Sequence, residues 1–259
     1  MLIQILKNIH EYTPTQLILF IVIMLFALAV SFSFHEFMHA FVADWLGDDT
    51  PRLYGRVTMN PMAHLDPMGT VLLLLVGFGW GKPVVYNPGK LNRFKSRKLM
   101  NIMVSLAGIF GNFIVGLVAM VIISIIMLAT GFATTSPVFD CSIYIAAGFM
   151  GGYKVPFYGA VFCMLFYYTF LFSLSLFAFN LLPVPPLDGF RVIQFLLPVK
   201  VTYSQGFRNF AHYGPMVLLV LIILGDFGNF DILSTIMSVI EAPVLFIINF
   251  LAGLIGHLG

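Results

Sequence analysis

The stretch from about Leu17 to Trp45 is apolar over a length that crosses about 30 Å of hydrocarbon at 1.5 Å per residue. Further apolar runs cover about Leu99 to Thr130, Phe157 to Leu182, Phe210 to Gly225 and Ile236 to Ile255. Runs of this kind leave few folds open, because in lipid every backbone N–H and C=O must be paired within the protein and a helix does so within one segment. Only 9% of the 259 residues are charged, and mean hydropathy is +0.99, so no stretch is polar enough to form a separate soluble unit. The expected fold is an all-α polytopic membrane protein of about five to six transmembrane helices. Residues 1–259 read as a single membrane-embedded domain, with a core over about 17–191 and additional C-terminal helices over about 192–259. No small-residue cleavage site follows the first run, which is therefore expected to stay as a span and not to be removed as a signal peptide.

The connectors refine this picture. DDTPRLYGRVTMNPMAHLDPMG is polar and rich in Gly and Pro, and the apolar run after it, Thr70 to Phe78, is too short for a full span and reads as re-entrant. GWGKPVVYNPGKLNRFKSRK follows, with a short β-prone VVY that suggests a hairpin. It also holds Lys82, Lys90, Arg93, Lys95, Arg97 and Lys98, nearly half of the thirteen basic residues. Basic residues near span ends face the cytoplasm, which places segments 52–98 and 191–208 inside and the loops around 140 and 228 outside. A formal charge of +2 gives no reason to expect nucleic acid as a partner. Cys141 and Cys163 form no CxxC, so neither a disulfide framework nor a cysteine-rich metal site is indicated. No internal or inverted repeat is visible.

Ionisable residues are costly in a lipid-embedded helix, at about 2.5 to 3.5 kcal/mol each on insertion scales, yet the first run holds three within HEFMH. His35 and His39, at i and i+4, put two imidazoles on one helix face, close enough to share one zinc ion. Glu36 falls on the adjoining edge, where it suits a general base for a metal-activated water. With three Glu and six His in the chain, a chance match to HExxH is on the order of 10⁻³.

A catalytic zinc takes three protein ligands and keeps a fourth position open. Asp188 in PPLDG is the candidate third ligand, an acid at the end of an apolar span on the inferred cytoplasmic side, followed by Gly189 where a tight turn is allowed. The same residue could instead cap a helix beginning near Phe190.

HEFMH in a membrane helix, AGIFGN in a later one and NLLPVPPLDG resemble the site-2 protease family of intramembrane zinc metalloproteases, over about Ser33 to Arg191. The resemblance implies one zinc ion held by His35, His39 and Asp188, with Glu36 as the base. It implies a metalloendopeptidase of the lipid bilayer that cuts in or near a transmembrane segment of a protein substrate, in the cell membrane with its site towards the cytoplasm. Asn112 in AGIFGN could then bond substrate backbone or serve helix packing with Gly108 and Gly111. Asn180 could steady the substrate or an oxyanion, or cap its helix. GWGKPVVYN resembles a membrane-associated loop or hairpin to which an extended substrate could add a strand. His64 and Asp66 could back the metal ligands, Asp66 alternatively capping a helix before Pro67. The loop over about 131–156 is too short for an inserted PDZ domain and no nucleotide-sensing CBS domain follows the last span, so a minimal form is expected. Rival readings are a membrane metal transporter or channel, and an inactive relative that binds peptides without cutting them. Sequence leaves the oligomeric state open.

Overall fold

The computed structural model describes residues 13–76, 81–130, 145, 156–227 and 232–256. Ten helices are described: α1 (Pro14–Trp45), α2 (Thr50–Leu53), α3 (Pro61–His64), α4 (Pro67–Val76), α5 (Arg97–Ala129), α6 (Phe157–Leu181), α7 (Asp188–Leu196), α8 (Val199–Thr202), α9 (Gln205–Phe227) and α10 (Ile232–Gly256).

Capping sets the helix starts. Helix α1 begins three residues before the expected Leu17, because Thr13 and Gln16 form a reciprocal capping box and Pro14 sits where its missing N–H costs nothing. Ser96 accepts the Leu99 N–H at 3.2 Å and opens α5 at Arg97, so two basic residues join its first turn. Helix α6 ends at Leu181 because Pro183 has no N–H to continue it and biases Leu182 to an extended backbone, ψ 137°.

Among the described residues, four helices have the length and apolarity to cross a membrane: α1, α5, α6 and Leu233–Phe250 of α10. The run expected over Phe210 to Gly225 lies within α9, which is not one of these four. Helix α4, with ten residues, is about 15 Å long, half of a bilayer core. Phe78 and the start of GWGKPVVYN lie outside the described residues, as do Cys141 and nearly all of the loop 131–156. The expected hairpin has no strand ladder among the described residues: Val84, Val85 and Tyr86 are unpaired coil, and one isolated antiparallel bridge joins Leu65 to Gly81.

Helices α1, α5 and α6 pack against one another, with α10 against α5 and α6 and α7 against α5. The largest buried cluster joins Met120, Ile123 and Met127 of α5 to Cys163, Phe170 and Leu174 of α6 and Val244 and Ile248 of α10. A second joins Ala43 and Leu46 to Leu91, Met100 and Val104. Lipid is as apolar as leucine, so close packing and interhelical hydrogen bonds must hold such helices together. Ser31 of α1 provides these, donating to the Thr169 carbonyl at 3.1 Å and accepting from Ser173 at 2.9 Å. Phe26, Phe110, Val118, Ile125 and Phe162 point outward, as a lipid-facing surface requires.

Candidate metal centre

His35 and His39 stand one turn apart on α1, their ring centroids 4.6 Å apart. Their faces meet α5 along a stripe of residues spaced by four, Val104, Gly108 and Asn112. His39 Nδ1 lies 2.7 Å from the Val104 carbonyl oxygen, and His35 Nδ1 lies 3.0 Å from the Asn112 amide nitrogen. The order of these pairs makes α1 and α5 antiparallel. Between them a Cβ on Gly108 would overlap Nε2 of both histidines, so only glycine leaves the space that the two nitrogens face.

Asp188 closes the cluster from α7. It is the first residue of that helix, whose N-cap position is taken by Leu187, so the capping alternative is not the one adopted. Its carboxylate turns to the histidines instead, with Oδ2 at 3.0 Å from His39 Nε2 and 3.2 Å from His35 Nε2. Burial alone would push this carboxyl up, but the facing imidazoles outweigh it and hold Asp188 well below the usual carboxylate range, in the ionised form a metal requires. Three contacts position α7. Gly189 is pressed on the Leu181 and Leu182 carbonyls where a Cβ would overlap both, Lys98 donates to the Leu196 carbonyl at 3.2 Å, and Phe190 stacks on Phe207 at 5.3 Å. Gly189 thus serves close approach, since its φ is not in the left-handed region.

The other expected residues are placed as follows. Glu36 is half-buried beside the cluster, within electrostatic reach of His39. Asn112 is fully buried with its amide against His35, which leaves it no exposed face for a substrate. Asn180 gives one amide hydrogen to the Leu176 carbonyl at 3.0 Å, in the last turn of its own helix. His64 is fully buried, its Nε2 at 2.8 Å from the Thr58 carbonyl, and is not part of the cluster. Asp66 accepts the Gly69 N–H at 2.9 Å, the capping role.

A model of peptidase family M50 matches residues 23–222, which takes in HEFMH, AGIFGN and PPLDG. The chain belongs to this family, that of the site-2 proteases. It is also 37% identical over 229 residues, 86% of its own length and 90% of the relative's, to a Bacillus subtilis (strain 168) protein named "Putative zinc metalloprotease YwhC". No solved structure matches.

The donor set of this M50 chain fits a zinc ion. A carbonyl oxygen can only accept, so the bond to Val104 puts a proton on His39 Nδ1, and in the neutral imidazole that leaves Nε2 as the nitrogen with a lone pair for a metal. Nε2 faces a carboxylate oxygen and a second imidazole nitrogen, each at 3.0 Å, a donor set that suits a shared metal cation. Two N or O ligands about 2.1 Å from zinc at a tetrahedral angle stand about 3.4 Å apart. The observed separations of 3.0, 3.0 and 3.2 Å are within a few tenths of that. His35, His39 and Asp188 are also the one group among the described residues whose ligand atoms come close enough to share a metal.

Two contributors escaped the sequence reading. Gly108 was expected only to aid packing, yet it clears the space that the Nε2 atoms of His35 and His39 face. Its signal was the four-residue spacing to Asn112, set against the four-residue spacing of the histidines. Asp48 is fully buried at the end of α1, where its two carboxylate oxygens take the N–H groups of Thr50 and Asn87 and pin the 82–90 segment to α1. An acid in a polar connector carries no sign of that burial.

Proposed function

We propose that this M50 protein is a zinc-dependent endopeptidase that hydrolyses a peptide bond in or near a transmembrane segment of another membrane protein. The observation that carries the reading is the meeting of His35 Nε2, His39 Nε2 and Asp188 Oδ2 within 3.0 to 3.2 Å of one another, with Glu36 beside them, on an apolar membrane-length helix.

Zinc, when bound, supplies a Lewis acid that polarises the scissile carbonyl and lowers the pKa of water towards neutrality. Glu36 takes the proton released from that water at its carboxylate and passes it to the amine that leaves. Asn180 keeps a second amide hydrogen beyond the one given to Leu176, and that hydrogen is free to donate to the oxygen on which charge develops. A helical substrate hides its carbonyls in internal hydrogen bonds and must become extended to be cut. A cleft of about 250 Å³ between Val84, Val85, Tyr86 and Pro88 on one side and Arg191, Gln194 and Phe195 on the other is the proposed bed for such a stretch. Its wall includes α7, one turn beyond Asp188. Lys90, Arg93, Lys95, Arg97 and Lys98 are all exposed beside this end of the bundle, which supports a site near the cytoplasmic face of the cell membrane.

Glu36→Gln removes the base but none of the three ligands. Membrane fragments compared between cells carrying the wild type and this variant should show substrate fragments only with the wild type, while the purified variant keeps its zinc. Undiminished cleavage by Glu36→Gln would rule the assignment out.

A further inference from the structure

Asn112 is wholly buried in a lipid-facing bundle, and its amide touches a metal ligand from the side away from the metal space. Its nitrogen lies 3.0 Å from His35 Nδ1, while its oxygen has no hydrogen-bond partner at all. A buried amide with one end unpaired is costly, so its orientation matters to the site.

The two orientations of this amide have opposite consequences. With the nitrogen facing His35, Nδ1 must accept, the ring proton moves to Nε2, and Nε2 has no lone pair for a metal. With the oxygen facing His35, Nδ1 donates and Nε2 is bare, as the Val104 carbonyl already requires of His39. The two ends of the amide are nearly the same shape, so half a turn exchanges them without repacking.

We propose that Asn112 is a positioning residue for the metal centre, its side-chain oxygen accepting the His35 Nδ1–H and so holding that imidazole in the tautomer whose Nε2 can bind zinc. This rests on the zinc reading above. The two histidines are then set by the same helix in the same way: His39 by a backbone carbonyl of α5 and His35 by a side-chain oxygen two turns further on. The backbone can serve His39 because Val104 lies directly against its ring.

The test is zinc affinity, measured on the purified full-length protein in detergent by competition with a chromogenic chelator. Asn112→Leu keeps the volume and removes the acceptor, and loss of such a support weakens metal binding by about 10- to 100-fold. Asn112→Asp keeps an acceptor oxygen and should bind within a few-fold of the wild type. A wild type that binds no zinc would sink the underlying reading. Leucine binding as tightly as asparagine would overturn this proposal alone, and so would leucine and aspartate failing equally. If Asn112→Leu does not fold, the histidine ¹⁵N spectrum of the unaltered protein decides, with His35 assigned by its loss in His35→Gln. A protonated Nδ1 on His35 in the zinc-loaded protein is expected, and a bare Nδ1 there refutes the proposal.

Discussion

Adding one methyl group to α5 should separate metal binding from folding. In Gly108→Ala the new Cβ would overlap His39 Nε2 and both Cε1 and Nε2 of His35. Without metal the rings can relieve the overlap by giving up their contacts to Val104 at 2.7 Å and Asn112 at 3.0 Å, but they then leave the positions from which both Nε2 atoms face a shared ion. Overpacking of this kind costs about 1 to 3 kcal/mol. At about 1.4 kcal/mol per factor of ten, zinc affinity should fall roughly 5- to 150-fold. Stability of the metal-free protein should change less, since alanine is favoured over glycine inside a helix by about 1 kcal/mol and offsets part of the overlap. Gly116→Ala on the same helix is the control. A Cβ there would meet Phe170 at 3.6 Å and Ser173 at 3.8 Å, ordinary contact distances. That variant should keep zinc and melt at the same temperature or slightly higher. Chelator competition and thermal melting of both purified variants give the comparison, and equal zinc affinity in the two would refute the geometry described for the centre.

Other perturbations have equally definite outcomes. Asp48→Ala removes the acceptor of the Thr50 and Asn87 backbone N–H groups, both bonds being part-buried, at about 1 kcal/mol for each bond lost. Its melting temperature should fall clearly, and limited proteolysis should cut first between residues 82 and 98; an unchanged melting temperature and digest would contradict the pinning role. Ser31→Ala removes the bonds to Thr169 and Ser173 and should cost only about 1.2 kcal/mol, at about 0.6 kcal/mol for each such bond between membrane helices, as read by unfolding in detergent. The Asp49 carboxyl is held below its ordinary range chiefly by its hydrogen bond to Lys90 at 2.6 Å. A lowered folded-state value means that the stabilisation is complete above the ordinary carboxylate pKa of about 4 and is lost as pH falls through the lowered one. The pair is exposed, so the loss on acidification should be slight and should vanish in high salt, which melting of Asp49→Asn against the wild type would show.

Much of this was legible in the sequence because the strongest signals were local. The apolar runs located α1, α5, α6, α9 and α10 to within about five residues; capping by Thr13 and Ser96 extends α1 and α5 into polar sequence, and α9 and α10 begin five and four residues ahead of their runs. The i, i+4 spacing of His35 and His39 gave one face directly. Asp188 needed the topology as well, since only the convergence of two span ends on one side of the membrane made it a candidate. What sequence could not supply was the third dimension of α5. Whether Asn112 faces a peptide or a histidine depends on how α5 rotates against α1, and the same rotation decides whether Gly108 lies at a seam or over the metal space. The Val104 contribution comes from its carbonyl, which every residue possesses and no motif can mark. Tyr86 and its neighbours read as β-prone, yet propensity does not become a strand without a partner edge, and none is present among the described residues.

The zinc centre itself is best tested by X-ray absorption at the zinc edge on the purified, zinc-loaded protein, alongside Asp188→Ala and His39→Ala. The account predicts one ion per chain in the wild type, light donors at about 2.0 to 2.2 Å, imidazole scattering from two histidines, and loss of bound zinc in both variants. Sulfur at about 2.3 Å, or full zinc occupancy in either variant, would contradict it.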